Sequence, residues 1–538
     1  MSAASPDPRT QHLPLRLALL PLDERPACSQ LPAHIAAVAG VELLLPPDNL
    51  MPHVREPGDP DALGRWLVSA ATEADAVLVS LETLGHGGLI ASRTQPSPVA
   101  VTAARWQTLA EIAATGTPVH AVTLITRTPD SPDAMEEPEY WDPYGPRIHA
   151  LSAALHRAEQ PDHPDPYRER ELAAARAEVP HGIRSDFTRR RLRNHALNLT
   201  AMELAAAGIL DSLVIGADDT APWAVATAEL RQIQLWRSRL EAEDCVSLRP
   251  GADEATSTLV ARTLATLLGS GVLTVRVEAV DSDGLERVAP YENVTLGTTA
   301  AGQIEACGAL VHDGPDPDIH LLVHTPDQAG DWATAPPTRR SPKARATARA
   351  LADRAAALLR EGLTVAVADC AQPNGADPFL AEALLRTGLA HRLAAYAGWN
   401  TAGNTLGTAV AHAVTTVAAR QAGRFDERAH LALLAHRFVE DHGYMTAVRA
   451  EARRAHGSIP GRHDMVPDGD PLLDLIAERL CRYAANLPGF GAHIVPGSVR
   501  LPWQRTFEVD FRVSIALPAP RTHSAGGPST SPRAEETP

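Results

Sequence analysis

Short apolar runs recur along this chain, each closed by a turn rich in charge, glycine or asparagine and followed by a segment of helical periodicity. Such runs read as buried parallel strands, and strands alternating with helices commit a chain to βα units and a mostly parallel sheet. Residues 16–20, 41–45, 76–80, 119–125 and 213–215 supply one set of strands. Residues 246–248, 272–277, 319–323, 363–367 and a short run near 393–396 supply another. About ten units exceed the eight of one barrel. The fold class is therefore α/β, either a TIM-barrel-like domain with extra units or two abutting α/β domains, with a C-terminal helical segment. The implied division is an N-terminal α/β, barrel-like domain over 14–240, carrying an insertion at 129–170, and a second α/β region over 241–407. A helical region over 408–515 follows, ending in a strand at 501–515, and the Pro/Ser/Thr-rich tail over 517–538 is expected to be disordered.

In such architectures catalytic and binding side chains gather at the carboxyl ends of the strands. One end stands out: Ala217-Asp-Asp-Thr-Ala-Pro222 places Asp218 and Asp219 after the strand at 213–215, with a helix expected over 221–240 and Pro222 in its first turn. Aspartate is a favoured helix cap, but a cap accounts for one acid and not for two. Adjacent carboxylates can divide acid and base labour, so Asp218 and Asp219 are the candidate catalytic pair.

Other strand ends supply candidate binding residues. Pro21-Leu-Asp-Glu-Arg-Pro26 offers Asp23 and Arg25, and the segment 81–93 reads as a glycine-rich loop holding Glu82, His86 and Arg93, its backbone drawn close to a ligand. Its Gly85-His-Gly87 lacks the third glycine of a dinucleotide fingerprint. In the second half, Asp369 and Asn374 follow the strand at 363–367, and the glycine-punctuated turn up to Gly407 presents Trp399, Asn400 and Asn404. Asparagine amides suit the hydroxyl or amide groups of a ligand, and Trp399 offers a stacking face. Tyr140, Trp141 and Tyr144, in an otherwise irregular insertion, suit either stacking on sugar rings or the core of a small packed subdomain. Arg189, Arg190, Arg191 and Arg193, in a helix over 187–207, read as a solvated face.

Composition removes several classes of function. The net charge is −16 and the basic residues are scattered, which argues against a nucleic-acid partner. Lys343 is the only lysine and lies in a Ser/Pro/Arg segment, so a pyridoxal Schiff base, an aldolase-type lysine and a phosphate-binding P-loop all lack their key residue. Cys28, Cys245, Cys307, Cys370 and Cys481 are far apart, which fits a reducing cytoplasm better than a disulfide framework or a cysteine zinc site. His430, His436 and His442 do not share a helix face, so they form no metal cluster. No apolar run is long enough for a membrane span or a signal peptide, and the expected location is cytoplasmic with no membrane partner.

Taken together, Leu20-Pro-Leu-Asp-Glu-Arg-Pro26, Gly87-Gly-Leu-Ile-Ala-Ser-Arg93, Ala217-Asp-Asp-Thr-Ala-Pro222 and the run from Tyr396 to Gly407 resemble the bacterial domain-of-unknown-function family number 4127, over about residues 14 to 515. The resemblance carries no settled activity. Locally, the Asp218-Asp219 pair after a strand is similar to the tandem aspartates of O-GlcNAcase-type substrate-assisted hexosaminidases. That likeness implies a glycosidase-like hydrolase of a small hydroxylated or N-acetylated sugar. Asp218 would orient an acetamido group and Asp219 would protonate the leaving oxygen. No cofactor is then required. The alternative is a hydrolase or isomerase whose Asp23, Glu24, Asp218, Asp219 and Asp369 gather round a divalent cation. A third reading is a metabolite-binding protein without catalysis.

Overall fold

The computed structural model describes residues 15–160, 165–326, 342–459 and 462–516, so the tail expected to be disordered lies outside the described residues. Six strands, β1 (Arg16–Leu20), β2 (Glu42–Leu44), β3 (Ala76–Ser80), β4 (Val119–Ile125), β5 (Ser212–Ala217) and β6 (Val246–Pro250), form one parallel sheet in the order β2-β1-β3-β4-β5-β6. Five more, β7 (Thr274–Glu278), β8 (Leu310–Val311), β9 (Ile319–His324), β10 (Val365–Asp369) and β11 (Ala395–Ala397), form a second in the order β8-β7-β9-β10-β11. Both sheets start at an interior strand, step to one edge, cross back and run to the other edge. The chain thus repeats one doubly wound order, 2-1-3-4-5, and the first sheet adds a sixth strand. The sheets are open and abut, in place of the barrel that the strand count also allowed. Because β6 pairs with β5, the first sheet runs past the boundary expected at 240.

Strand alternation shows how the layers stack. In β1, Leu17 and Leu19 enter a core between the sheets, while Ala18 and Leu20 face an outer one. In the second sheet, Leu321 and Val323 share the inner core, and Leu322 faces the opposite outer core with Val365 and Val367. Helices Gln30–Val38 and Leu296–Ala306 contribute to the inner layer together with two longer ones, Ala255–Leu267 after β6 and Ala402–Gln421 after β11. Their small side chains let them pack closely between two sheets, and 18 of the 20 residues of the Ala402–Gln421 helix are buried. Among the described residues, no helix is long and apolar enough to cross a membrane.

Several local expectations are corrected. The segment 81–93 is not a loop but two short helices, Leu81–His86 and Leu89–Thr94, the first capped by Ser80. Between them Gly87 takes a φ of +85°, and a Cβ there would meet the Gly58 carbonyl oxygen at 2.5 Å, so its backbone is drawn to a neighbouring loop, not to a ligand. The helix after the aspartate pair starts at Val225, leaving Pro222 outside it. The insertion is helical over Trp141–Ala158 and Pro166–Ala177. Trp141 is buried there against Ile148, Leu151, Val179 and Phe187, a small packed core that leaves its ring no ligand to stack on. Arg191 is buried on Glu229 at 2.6 Å and Arg193 on the carbonyls of Ser92 and Gln95, so these two are not on a solvated face. Of the strand expected at 501–515, only Val513–Ile515 forms, paired antiparallel with Ala492–Ile494, because the chain turns sharply at Trp503 and Gln504 with positive φ.

Leu259 is fully buried in the inner layer, whereas Leu192 is 68 % exposed. Leu259→Ala should cost about 2–5 kcal/mol in urea unfolding, and Leu192→Ala less than about 0.5 kcal/mol. Equal effects of the two would contradict the placement of the inner core.

Candidate active site

A cavity of about 160 Å³ lies where the carboxyl ends of the two sheets face each other. From the first sheet, Arg25 follows β1, Arg93 follows β3, Arg127 and Glu136 follow β4, Asp218 and Asp219 follow β5, and Asp253 follows β6. The winding reverses between β1 and β3, so Arg25 and Arg93 flank the crevice that a doubly wound sheet opens at that point. The second sheet contributes Asn374 after β10 and Asn400, Thr401 and Asn404 after β11. His463, Arg505 and Phe507 complete the wall from the C-terminal region.

The two aspartates are not helix caps. The helix Val225–Arg239 begins after Ala224 with no side-chain cap. Asp218 Oδ2 accepts a hydrogen bond from Arg93 Nη2 at 2.6 Å, and Asp219 Oδ2 accepts one from Arg127 Nη1 at 3.0 Å. Consecutive side chains of an extended strand point to opposite faces. A φ of +37° at Asp219 breaks that alternation and lets both carboxylates line one cavity. Burial pushes the Asp219 carboxyl up to about 6, and the neighbouring Asp218 adds to the rise, while Arg127 opposes it. An acid poised there can give up a proton near neutral pH.

Glu136 ties the arginines together. Its carboxylate accepts from Arg93 at 3.0 Å, from Arg127 at 2.9 Å and from Arg505. Burial works against its ionisation, but the charges of Arg127, Arg505 and Arg93 outweigh it and hold the Glu136 carboxyl well below the usual range. Arg505 also reaches Glu508, whose carboxyl burial raises to about 7. His463, beside Arg505, is lowered to about 4 by burial and by that guanidinium, so its imidazole is neutral. On the opposite wall Arg25 bridges Asp23 at 2.7 Å and Asp253 at 2.6 Å, and Asp253 Oδ2 accepts from Asn400 Nδ2 at 3.4 Å. That last contact joins the two sheets across the cavity.

The backbone is strained where it meets the cavity. Asp219, Tyr291, Asn374 and Asn400 line it with φ of +37°, +68°, +62° and +59°. Aspartate and asparagine tolerate the left-handed region, but tyrosine does so only where its surroundings hold it, and such residues concentrate at functional sites. The loops are held from behind. Asn374 donates its backbone N–H to the Asn400 carbonyl at 2.8 Å, and Gly398 donates to the Asp441 carboxylate at 2.7 Å. Asp441 belongs to a π-helical segment, Phe438–Val448, a distortion that recurs at functional sites.

Of the candidate residues, Asp218, Asp219, Arg25, Arg93, Asn374, Asn400 and Asn404 line the cavity. Four do not. Asp23 lies behind Arg25 and fixes its guanidinium. Glu82 is turned into the sheet, where it accepts from Leu124 N at 2.7 Å and Thr123 Oγ1 at 2.9 Å. Asp369 is buried beneath the floor and shapes the Asn374 loop, accepting from Asp377 N at 2.6 Å, and burial lifts its carboxyl to about 7. Trp399 is 3 % exposed and packs edge-on behind Phe507 at 6.3 Å, so it offers a ligand no stacking face. Among the described residues, no three His, Cys, Asp or Glu side chains group as a metal site. Of the five acids of the cation reading, only Asp218 and Asp219 line the cavity, Asp23 and Asp369 being turned to Arg25 and Asp377 N, and Glu24 being engaged by Trp503 Nε1 at 2.6 Å and Val54 N at 2.9 Å. Arg127, Glu136, Asp253, His463 and Arg505 were not anticipated. Arg127 sits at a legible strand end, but nothing in the irregular segment around Glu136, the helical region around His463 or the expected strand around Arg505 marks them.

Fold and site together define a two-sheet, doubly wound α/β protein with a polar cavity between its sheets. The chain belongs to the family described as Protein of unknown function (DUF4127), whose model matches residues 17–512. No curated protein and no solved structure matches it.

Glu292 lies just beneath the start of the Ala402–Gln421 helix, its Oε1 accepting from Gly403 N at 2.8 Å, and burial, with the charge of Glu254, lifts it to about 8. In the fold it therefore keeps a proton that the unfolded chain loses near 4.5. Its stabilising effect is complete below that pH and is lost as the pH rises through about 8. The urea midpoint should fall between about pH 4.5 and 8 and fall less in Glu292→Gln. Parallel curves for the two proteins would contradict the assignment.

Proposed function

We propose that the chain is a glycosidase-like hydrolase of a small, monosaccharide-sized substrate, with Asp219 as the proton donor. The observation that carries this reading is the delivery of two adjacent carboxylates into one cavity, each held by a different arginine and neither capping a helix, with Asp219 raised to about 6. Pairs of acids whose surroundings separate them are the arrangement from which acid and base roles are assigned. A cavity of about 160 Å³ suits a single ring and not a polymer. Asn374, Asn400, Thr401 and Asn404 supply amides and a hydroxyl for the ring hydroxyls.

In the reaction this implies, Asp218, fixed by Arg93, orients the substrate acetamido group. The acetamido oxygen attacks the anomeric carbon as the glycosidic bond breaks, and the leaving oxygen takes the proton of Asp219. Asp219 then accepts a proton from the water that opens the cyclic intermediate, which restores both acids. The reading requires no resident cofactor, nucleic acid or membrane. A cytoplasmic location accords with it, because Cys28, Cys245, Cys307, Cys370 and Cys481 are all free.

A panel of nitrophenyl glycosides tests the proposal. Asp219→Asn should lower kcat by about 10²–10⁴-fold while leaving substrate binding within a few-fold. Wild-type turnover should decline as the pH rises through about 6, because the acid is lost there. An Asp219→Asn protein that turns over at the native rate refutes the role.

A further inference from the structure

The walls of the cavity differ in their access to solvent, and the difference runs along the aspartate pair. The side chains of Arg93, Glu136 and Arg505 are buried, and that of Asp218, bonded to Arg93, keeps only 9 % of its surface. The Asp219 side chain keeps 27 %, and Tyr291 is 42 % exposed. The mouth of the cavity therefore lies at Asp219 and Tyr291. With the proton donor at the mouth, the sugar oriented by Asp218 lies inward. The group that departs with the donated proton lies outward, because a cavity of about 160 Å³ is filled by one ring.

Tyr291 brings an aromatic ring to that mouth. Phe507 also lines the cavity, but Trp399 packs edge-on to its ring at 6.3 Å and the Arg505 guanidinium lies 4.9 Å from its centre. Tyr291 is placed by the turn that carries the acid, since its carbonyl accepts from the N–H of Thr220, the residue after Asp219, at 2.9 Å. The following residue, Glu292, ties the same loop to the inner layer through Gly403 N at 2.8 Å. A φ of +68° is costly for a tyrosine, whereas glycine takes it without strain. Burial repays an aromatic side chain, and a ring this exposed collects only part of that return from the fold. What an exposed aromatic face offers in addition is a surface on which another ring can stack.

We infer that the substrate carries a flat ring as its leaving group, an aryl group or a second sugar, and that this ring stacks on Tyr291 just outside the cavity. This rests on reading Asp219 as the proton donor, and it adds to the sugar held in the cavity a specificity-determining contact at the mouth.

Calorimetry on the full chain carrying Asp219→Asn compares the methyl glycoside, the 4-nitrophenyl glycoside and the disaccharide of each sugar in the panel. One of the ringed forms should bind about fivefold or more tightly than the methyl form, and the better of the two identifies an aryl or a sugar leaving group. Adding Tyr291→Gly should erase that advantage and leave the methyl glycoside within about twofold, whereas Tyr291→Phe should keep the advantage. Tyr291→Gly should unfold at a urea midpoint close to the native one, since relief of strain offsets the added freedom of the unfolded chain. Ringed and methyl forms that bind equally overturn the inference, as does a ring advantage that survives in Tyr291→Gly, an equal loss for both forms, or no binding of any probe. With Asp219 intact, turnover of nitrophenyl glycosides whose KM is unchanged in Tyr291→Gly removes this inference and keeps the hydrolase reading. A ring advantage lost in Tyr291→Gly without turnover of any glycoside keeps the Tyr291 contact and removes the hydrolase reading.

Discussion

The site depends on one carboxylate shared among three guanidiniums. Glu136 meets Arg93, Arg127 and Arg505, which reach it from the ends of β3 and β4 and from a segment 369 residues further along the chain. Burying so many charges costs several kcal/mol per ion before any attraction is counted, so such a network is poor evidence for stability. Its effect is on position. Arg93 and Arg127 have few other geometries once Glu136 holds them, and each then fixes one aspartate of the pair. Asp218 and Asp219 are neighbours in sequence but belong to different guanidiniums.

Around this network the fold supplies two converging edges. Each doubly wound sheet collects side chains at its carboxyl end, and the inner helices set the two ends against each other across a narrow gap. Alanine and glycine in the Ala402–Gln421 helix make that spacing possible. At Gly407 a Cβ would lie 2.2 Å from the Glu254 side chain, so even one methyl group would force the inner layer apart. The left-handed residues of the cavity wall are the local consequence of turning the chain sharply where strands end, and the π-helical segment steadies two of those turns from behind.

Much of the fold was legible because strand residues must be apolar on both faces in a parallel sheet, and β1, β3 and β4 were read to the residue. The aspartate pair was legible because capping could not explain two adjacent acids. What the sequence could not show was direction. Glu82, Asp369 and Trp399 stand at strand ends as anticipated, yet their side chains turn back to the sheet, a neighbouring loop and the core. Sequence position gives the edge of the sheet, whereas orientation depends on which backbone amides lie unsatisfied nearby. Glu136 lies in a segment with no periodicity, His463 in a region expected to be helical and Arg505 in one expected to be a strand, and their significance comes only from partners distant in the chain.

The central claim is that burial, with the charge of Asp218, keeps Asp219 a proton donor against the pull of Arg127. It is tested most directly by following the side-chain carboxyl carbons of ¹³C-labelled aspartate through a pH titration of the native protein and of Asp219→Asn. The account predicts a resonance that titrates near 6 and vanishes in the variant. A resonance lost in the variant that titrates instead near 3.8, the ordinary aspartate value, would contradict it.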